Sequence, residues 1–214
     1  MAVILWYTLF EVSLMCGRYY FDIYEKALEE IIKELEWNLY CDFKTGEIYP
    51  TDIAPIVTKQ GVTPAKWGFP KQNHKGVIIN ARAESLSDKY MFKSLVNSNR
   101  CIIPASGFFE WERNDSGAKN KDKYYFKRPG SALYMAGLFN SFHDKTKQLS
   151  LFDDTENEQL SYVIITKDAN ECMAGIHDRM PLIFSEHEMQ YWLKGGSLQG
   201  LLKSNNAVLE HSIF

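Results

Sequence analysis

Residues 100–111 read RCIIPASGFFEW. Two apolar runs, 101–104 and 107–112, are rich in isoleucine and aromatic side chains, which favour extended chain over helix. In the second run a period of two puts Phe108, Glu110 and Glu112 on one face and Phe109 and Trp111 on the other. A carboxylate inside so aromatic a strand has two readings. It is an edge residue facing water, or it is a partly desolvated acid with a raised pKa, suited to proton transfer. Working outward, similar runs recur at 53–58, 76–80, 123–127, 132–139 and 161–166. Helical signals are fewer. Asp22 and Glu25 resemble a capping box, and Ile23, Ala27, Ile31 and Leu35 recur at helical spacing, so 22–36 reads as a helix. Ser185 with Glu188 three residues on marks a second at 186–193, and 168–174 reads as a short third. RNDSGAKNKD at 113–122 is a polar hairpin connection, and FDDTENEQL at 152–160 an acidic loop. Strands do not alternate regularly with helices, and there is no Gly-x-Gly-x-x-Gly or Walker phosphate loop, which argues against a Rossmann-type sheet. The expected fold is α+β, a single β-rich domain.

The 214 residues suit one domain. Hydrophobic residues at 45% and charged residues at 24% exclude global disorder. No apolar run approaches the ~20 residues needed to cross a bilayer, so no membrane partner is expected. No Lys or Arg precedes Arg18, so the basic start of a secretory signal is missing. Cys16, Cys41, Cys101 and Cys172 are too scattered for a Cys-x-x-Cys motif, and a chain this size needs no disulfides. A reducing cytoplasm is the expected compartment, with no metal and no cofactor. The net charge of −3 speaks against a nucleic-acid binder, but its distribution does not. Residues 1–50 carry −5, residues 51–150 carry +8 and residues 151–214 carry −6. A basic middle segment on an acidic protein either forms one positive face or is solvated loop.

Three further stretches invite chemistry. CGRY at 16–19 follows Met15, a possible translation start. An internal cysteine before glycine is most simply a small buried residue. If Met15 is removed, Cys16 instead carries an α-amine and a thiol on adjacent carbons. With an amine pKa of roughly 7.7–8.0, much of it is a free nucleophile at neutral pH. Such a 1,2-aminothiol condenses with an aldehyde, first to an iminium and then to a thiazolidine. NARAE at 80–84 either starts a helix or places the Asn80 amide and the Arg82 guanidinium on one side. HDRMP at 177–181 puts His177 in a loop after a strand ending at Thr166, where catalytic groups concentrate.

Together these stretches resemble the SOS-response-associated peptidase (SRAP) family, also called abasic-site processing proteins. The resemblance runs from Met15 to about Trp192 through CGRYY at 16–20, YPT and API within 49–56, WGFP at 67–70, NARAE, RCIIPASGFFEW, AGLF at 136–139 and HDRMP. It implies a barrel-like mixed sheet with peripheral helices. It also implies a positive groove for single-stranded DNA, and covalent capture of abasic sites by an N-terminal cysteine in the SOS response. Carried over, Cys16 is the nucleophile, Glu110 and His177 move protons, and Asn80 hydrogen-bonds the reacting centre. Arg18 and Arg82 hold flanking phosphates, Trp67 and its neighbours pack on bases, and Trp111 and Thr166 complete the DNA-binding set. The implied partner is single-stranded DNA containing abasic sites, bound by a monomer.

This chain departs from the family pattern in three places. Phe109 stands where tyrosine is common and Phe139 where tryptophan is common. Residues 1–14 precede a domain expected to span 15–214. An internal Cys16 has an amide nitrogen and cannot form an iminium. Either synthesis starts at Met15, or the protein removes its own leader, or this copy does not crosslink. The competing functions are a cysteine-dependent autopeptidase or N-terminal-nucleophile hydrolase and a non-catalytic reader of modified DNA; lyase activity is expected only as an accompaniment of capture.

Overall fold

A computed structural model describes residues 16–37, 43–72, 74–113, 122–143 and 158–214. The chain begins with β1 (Arg18–Phe21), a 3-10 turn at Lys26–Leu28 and α1 (Glu29–Trp37). Six short strands follow: β2 (Gly46–Ile48), β3 (Ile53–Thr58), β4 (Gly61–Trp67), β5 (Phe69–Pro70), β6 (Val77–Ile78) and β7 (Asn80–Arg82). A second 3-10 turn and the one-turn helices α2 (Tyr90–Lys93) and α3 (Leu95–Ser98) lead to β8 (Arg100–Ala105). Then come β9 (Gly107–Trp111), β10 (Lys123–Lys127), β11 (Leu133–His143) and β12 (Glu158–Asp168). The chain ends with β13 (Arg179–Pro181), β14 (Ile183–Phe184), α4 (Glu186–Leu193), α5 (Leu198–Ser204) and β15 (Glu210–Ile213).

Five strands close on themselves. β12 pairs with β4 in parallel, β4 with β3, β3 with β8, β8 with β11, and β11 again with β12. This is the barrel-like mixed sheet of an α+β domain. Beyond the ring, the far end of β12 pairs with β7 and β13. A second sheet, β15-β10-β9-β1-β2, is wholly antiparallel. The stretch 100–111 joins the two: β8 is a ring strand, and β9 lies inside the second sheet between β1 and β10. At the step between them the Ser106 amide donates to Tyr20 O, and the Ser106 hydroxyl accepts from the Asp22 amide at 3.1 Å.

The aromatic content goes mainly into the core. Trp67 and Tyr162 stack nearly parallel, and the Tyr19 and Tyr162 hydroxyls meet at 2.6 Å. Trp192 donates its indole N–H to Cys101 O and carries the Arg100 guanidinium over its ring. Where β11 crosses β12 only glycine fits. A Cβ on Gly137 would come within 2.3 Å of the Ile103 Cδ1 and 2.8 Å of the Val163 carbonyl oxygen. The oxygen is backbone in the barrel wall and cannot swing aside. Gly137→Ala is therefore expected to destabilise the fold by ~1–3 kcal/mol through overpacking. A melting temperature equal to that of the parent would contradict this.

Several sequence expectations need correction. Asp22 and Glu25 form no capping box. Asp22 Oδ1 accepts from the Tyr24 amide two residues on, Glu25 makes no side-chain cap, and the α-helix starts only at Glu29. This is the local side-chain-to-backbone competition to which aspartate is prone. Residues 171–176 form turns rather than a helix, and Asp168 is still paired to Arg179 in the sheet. The strand expected at 76–80 is two strands broken at Ile79. Residues 158–160, expected as acidic loop, pair with 141–143 and lengthen both β11 and β12. The rest of that loop, most of the 113–122 connection and Cys41 lie outside the described residues. The connection's ends do form a hairpin, with Glu112 N donating to Asp122 O. The capping box at Ser185 and Glu188 is present in full.

Candidate active site around Cys16

Cys16 lies just before β1 and is buried, with a backbone φ of 47° in the left-handed region. A residue with a Cβ enters that region at a cost of order 1–3 kcal/mol. Its backbone nitrogen donates to Glu110 Oε2 at 2.7 Å. Its thiol lies beside the same carboxylate, which acts on the thiol's ionisation. One carboxylate thus touches both groups of the aminothiol that Cys16 would become. The pairing of β1 with β9 explains the approach: Arg18 sits opposite Phe109, so the chain entering β1 runs past Glu110. The edge reading of Glu110 is excluded, because β9 has a strand on each side and Glu110 is buried.

Burial pushes the Glu110 carboxyl above its usual range, while the His177 charge and the Cys16 N–H pull it back. Burial also pushes the Cys16 thiol well up, and the Glu110 charge adds to this, against the pull of Arg179. As placed, the thiol keeps its proton at neutral pH. It becomes a nucleophile only by giving that proton to a neighbour, and Glu110 is in contact.

His177 is buried close enough to Glu110 for its charge to act on that carboxyl. Its Nδ1 lies 3.1 Å from the Arg179 amide N–H and 3.0 Å from Asp178 Oδ1. The amide can only donate, so neutral His177 accepts there and carries its proton on Nε2. The imidazolium instead donates to Asp178, which Arg113 holds at 2.6 Å. His177 therefore has a partner ready in either protonation state. Its loop is pinned by Arg113 N donating to Ile176 O, and by the buried Arg179. The Arg179 guanidinium makes paired bonds of 2.9 Å to both Glu84 oxygens, donates to Thr166 O and bonds Asp168. Arg179, Glu84 and Asp178 were not singled out from the sequence, although all three lie in stretches quoted above. Their role needs β7, β12 and β13 side by side.

The other expected site residues divide. Arg18 lies with its guanidinium 4.3 Å from the Tyr49 ring centre and 4.9 Å from that of Trp111, bridged to Glu47 at 3.2 Å. Tyr49 opens a turn with Pro50 second and Thr51 at φ 77°, closed by the Asp52 side chain on the Tyr49 amide. Arg18 and Trp111 thus belong to one half-exposed stacked platform beside Glu110. Asn80, half-buried, starts β7 level with Ile164, and Arg82 is exposed at its end near Glu84. Two expectations fail. Trp67 is wholly buried, its N–H taken by Ile79 O, so no ring face is open to a base. Thr166 is wholly buried, and its hydroxyl has no hydrogen-bond partner among the described residues. It faces no surface phosphate. Among the described residues no three His, Cys, Asp or Glu side chains form a metal-binding group, and no helix is long and apolar enough to cross a membrane.

Known proteins resemble this chain along much of its length. The family model for the SOS response associated peptidase (SRAP) matches residues 15–211. Abasic site processing protein YoaM of Bacillus subtilis is 35% identical over 196 residues, covering 84% of this chain and 79% of that one. Abasic site processing protein YedK of Escherichia coli is 30% identical over 132 residues, covering 61% and 54%. A crystal structure of a Bacteroides thetaiotaomicron protein shares the fold, with a TM-score of 0.71 at 22% identity over 92% of this chain and 91% of that one. With the motifs, the fold and a match along nearly its whole length, the chain belongs to the SOS response associated peptidase (SRAP) family.

Proposed function

We propose that the protein processes abasic sites by covalent capture on single-stranded DNA, with Cys16 as the N-terminal residue of the active form. The observation that carries this is the contact of one buried carboxylate with both the nitrogen and the thiol of Cys16. The α-amine adds to the aldehyde of the ring-opened sugar. Loss of water gives an iminium, and the thiol sulfur closes the five-membered ring. The net change is aldehyde plus aminothiol to thiazolidine plus water. Glu110 takes a proton as each nucleophile reacts and returns one to the departing hydroxyl. His177, with alternative partners for Nδ1, moves the proton of sugar-ring opening. Asn80 orients the sugar, and Arg18, Trp111 and Arg82 hold the flanking strand. Transient iminium chemistry also supports lyase activity. The relatives' names supply the substrate class.

A second reading has its own observation. With residues 1–15 attached, the nitrogen held by Glu110 is the amide of the Met15–Cys16 bond, and Cys16 is strained. Attack of Sγ on the Met15 carbonyl would break that bond and leave a thioester, while Glu110 protonates the departing amine. Water would then hydrolyse the thioester and restore the thiol. This autopeptidase step precedes capture and supplies its amine.

The test is a denaturing gel with an abasic single strand and three proteins: one starting at Cys16, the 214-residue chain, and the chain with Met15 replaced by proline to resist cleavage. The first should crosslink at once, the second only as fast as its leader is lost, and the third not at all. A stable crosslink from the uncleaved third protein would overturn the aminothiol mechanism.

A further inference from the structure

A groove of about 1240 Å³ opens beside the start of β12. Its walls come from the ends of β4 and β11, the start of β12, and helices α2 and α3. Lys66, Lys71 and Lys93 line it, and no carboxylate does so among the described residues. Tyr90 stands on its rim, 96% exposed, and Phe142 is half-buried in its wall. Asn97 and Asn140 add amides.

The charge here differs from that around Cys16. At the active site Arg18 and Lys123 share Glu47, Lys44 meets Asp52, Arg113 meets Asp178, and Arg179 meets Glu84 and Asp168. Those cations are already compensated, and a phosphate must compete for them; Arg82, exposed at the end of β7, is the exception. The three groove lysines make no ion pair among the described residues. Uncompensated positive charge beside open aromatic rings is the combination that binds single strands without reading sequence. The groove also lies within reach of the reaction. Ser161 lines it, and Thr166, which holds Arg179, lies about 16 Å further along β12 at ~3.3 Å per residue.

We propose that this groove is a second anchoring site for single-stranded DNA, taking an undamaged stretch of the strand whose abasic site reaches Cys16. The proposal rests on the DNA-processing reading above, but its test needs no lesion. Lys66, Lys71 and Lys93 contact phosphates, Tyr90 stacks on a base, and the asparagines meet sugar or base edges. Backbone affinity then resides mainly in the groove, and Arg18 and Arg82 hold only the strand next to the reacting sugar.

The experiment measures binding of an undamaged single strand to the full chain across a salt series. Lys66→Ala with Lys93→Ala should weaken binding about tenfold at low salt and reduce the log–log salt slope by about 1.4, at ~0.7 per lost contact. Tyr90→Ala should weaken it roughly tenfold, the scale of one stacked base. Lys194→Ala with Lys203→Ala, neither of which lines the groove, should change neither. Equal affinity and slope in the groove variants would overturn the proposal. So would a blunt duplex that binds as tightly as the single strand and ignores Tyr90→Ala. The crosslinking gel reports separately: groove variants that lose strand affinity while the wild type forms no adduct would sink the capture reading alone.

Discussion

Cys16→Ala should form no stable adduct with an abasic single strand, a loss of at least the hundredfold range a gel resolves. Without sulfur the iminium has nothing to close on, and it hydrolyses. Cys16→Ser separates the two steps. It keeps the α-amine and nearly the shape of the buried side chain, so it should still form an imine. That imine is labile and trapped only by a chemical reductant, because an alcohol is the poorer nucleophile. Both variants should retain the parent's melting temperature within a degree or two, since Cys16 is small and its backbone bond to Glu110 remains. A full-yield, heat-stable crosslink from Cys16→Ala would show that another nucleophile carries the reaction.

Glu110→Gln should slow crosslinking by ~10²–10⁴-fold, the usual worth of a positioned acid or base. The amide oxygen can still accept from Cys16 N, so the geometry survives while the proton carrier is lost. Stability should move the other way. The folded-state pKa of Glu110 is raised above its ordinary value by burial. Its contribution to stability is therefore fully present below the unfolded pKa, near 4.5, and is lost as pH rises through the folded value. Ionising Glu110 in the fold works against its burial, a cost that glutamine does not carry. Glu110→Gln should then melt at or above the wild-type temperature at pH 7, and the difference should shrink towards pH 4. Loss of stability at pH 7 together with loss of activity would mean that Glu110 is chiefly structural. An unchanged rate at several pH values would remove it from the mechanism.

How far the sequence reached is clearest from single residues. Ser185 and Glu188 predicted their helix because a capping box is made within four residues. Asp22 and Glu25 carried a similar signal and failed, because the Asp22 side chain closed a tighter turn first. β3 and β10 occupy the residues their composition marked, whereas β11 and β12 run past theirs through polar residues such as Asn140, Ser141 and Gln159. Those positions are strand because each chain supplies the other's hydrogen bonds, which neither segment states alone. Trp67 and Trp111 are the same residue type in equally recognisable motifs. One is sealed in the core and the other stacks on Arg18 beside the site.

Family, fold class and the identity of Cys16, Glu110 and His177 were determined by the sequence itself. They are carried by short ordered motifs, and the roles of nucleophile and proton carrier proposed for these residues rest on their side-chain types. Only the tertiary structure decided that Glu110 reaches both atoms of Cys16, that Arg179 with Glu84 and Asp168 holds the His177 loop, and that Trp67 and Thr166 are closed to DNA. Only it decided where charge is free. The paired cations around Cys16 come from all three segments, whereas Lys66, Lys71 and Lys93 of the middle segment line a groove and make no ion pair among the described residues. The reason is physical. Residue type sets what a group can do, whereas burial, pairing and charge compensation depend on neighbours distant in sequence, brought together when the barrel closes.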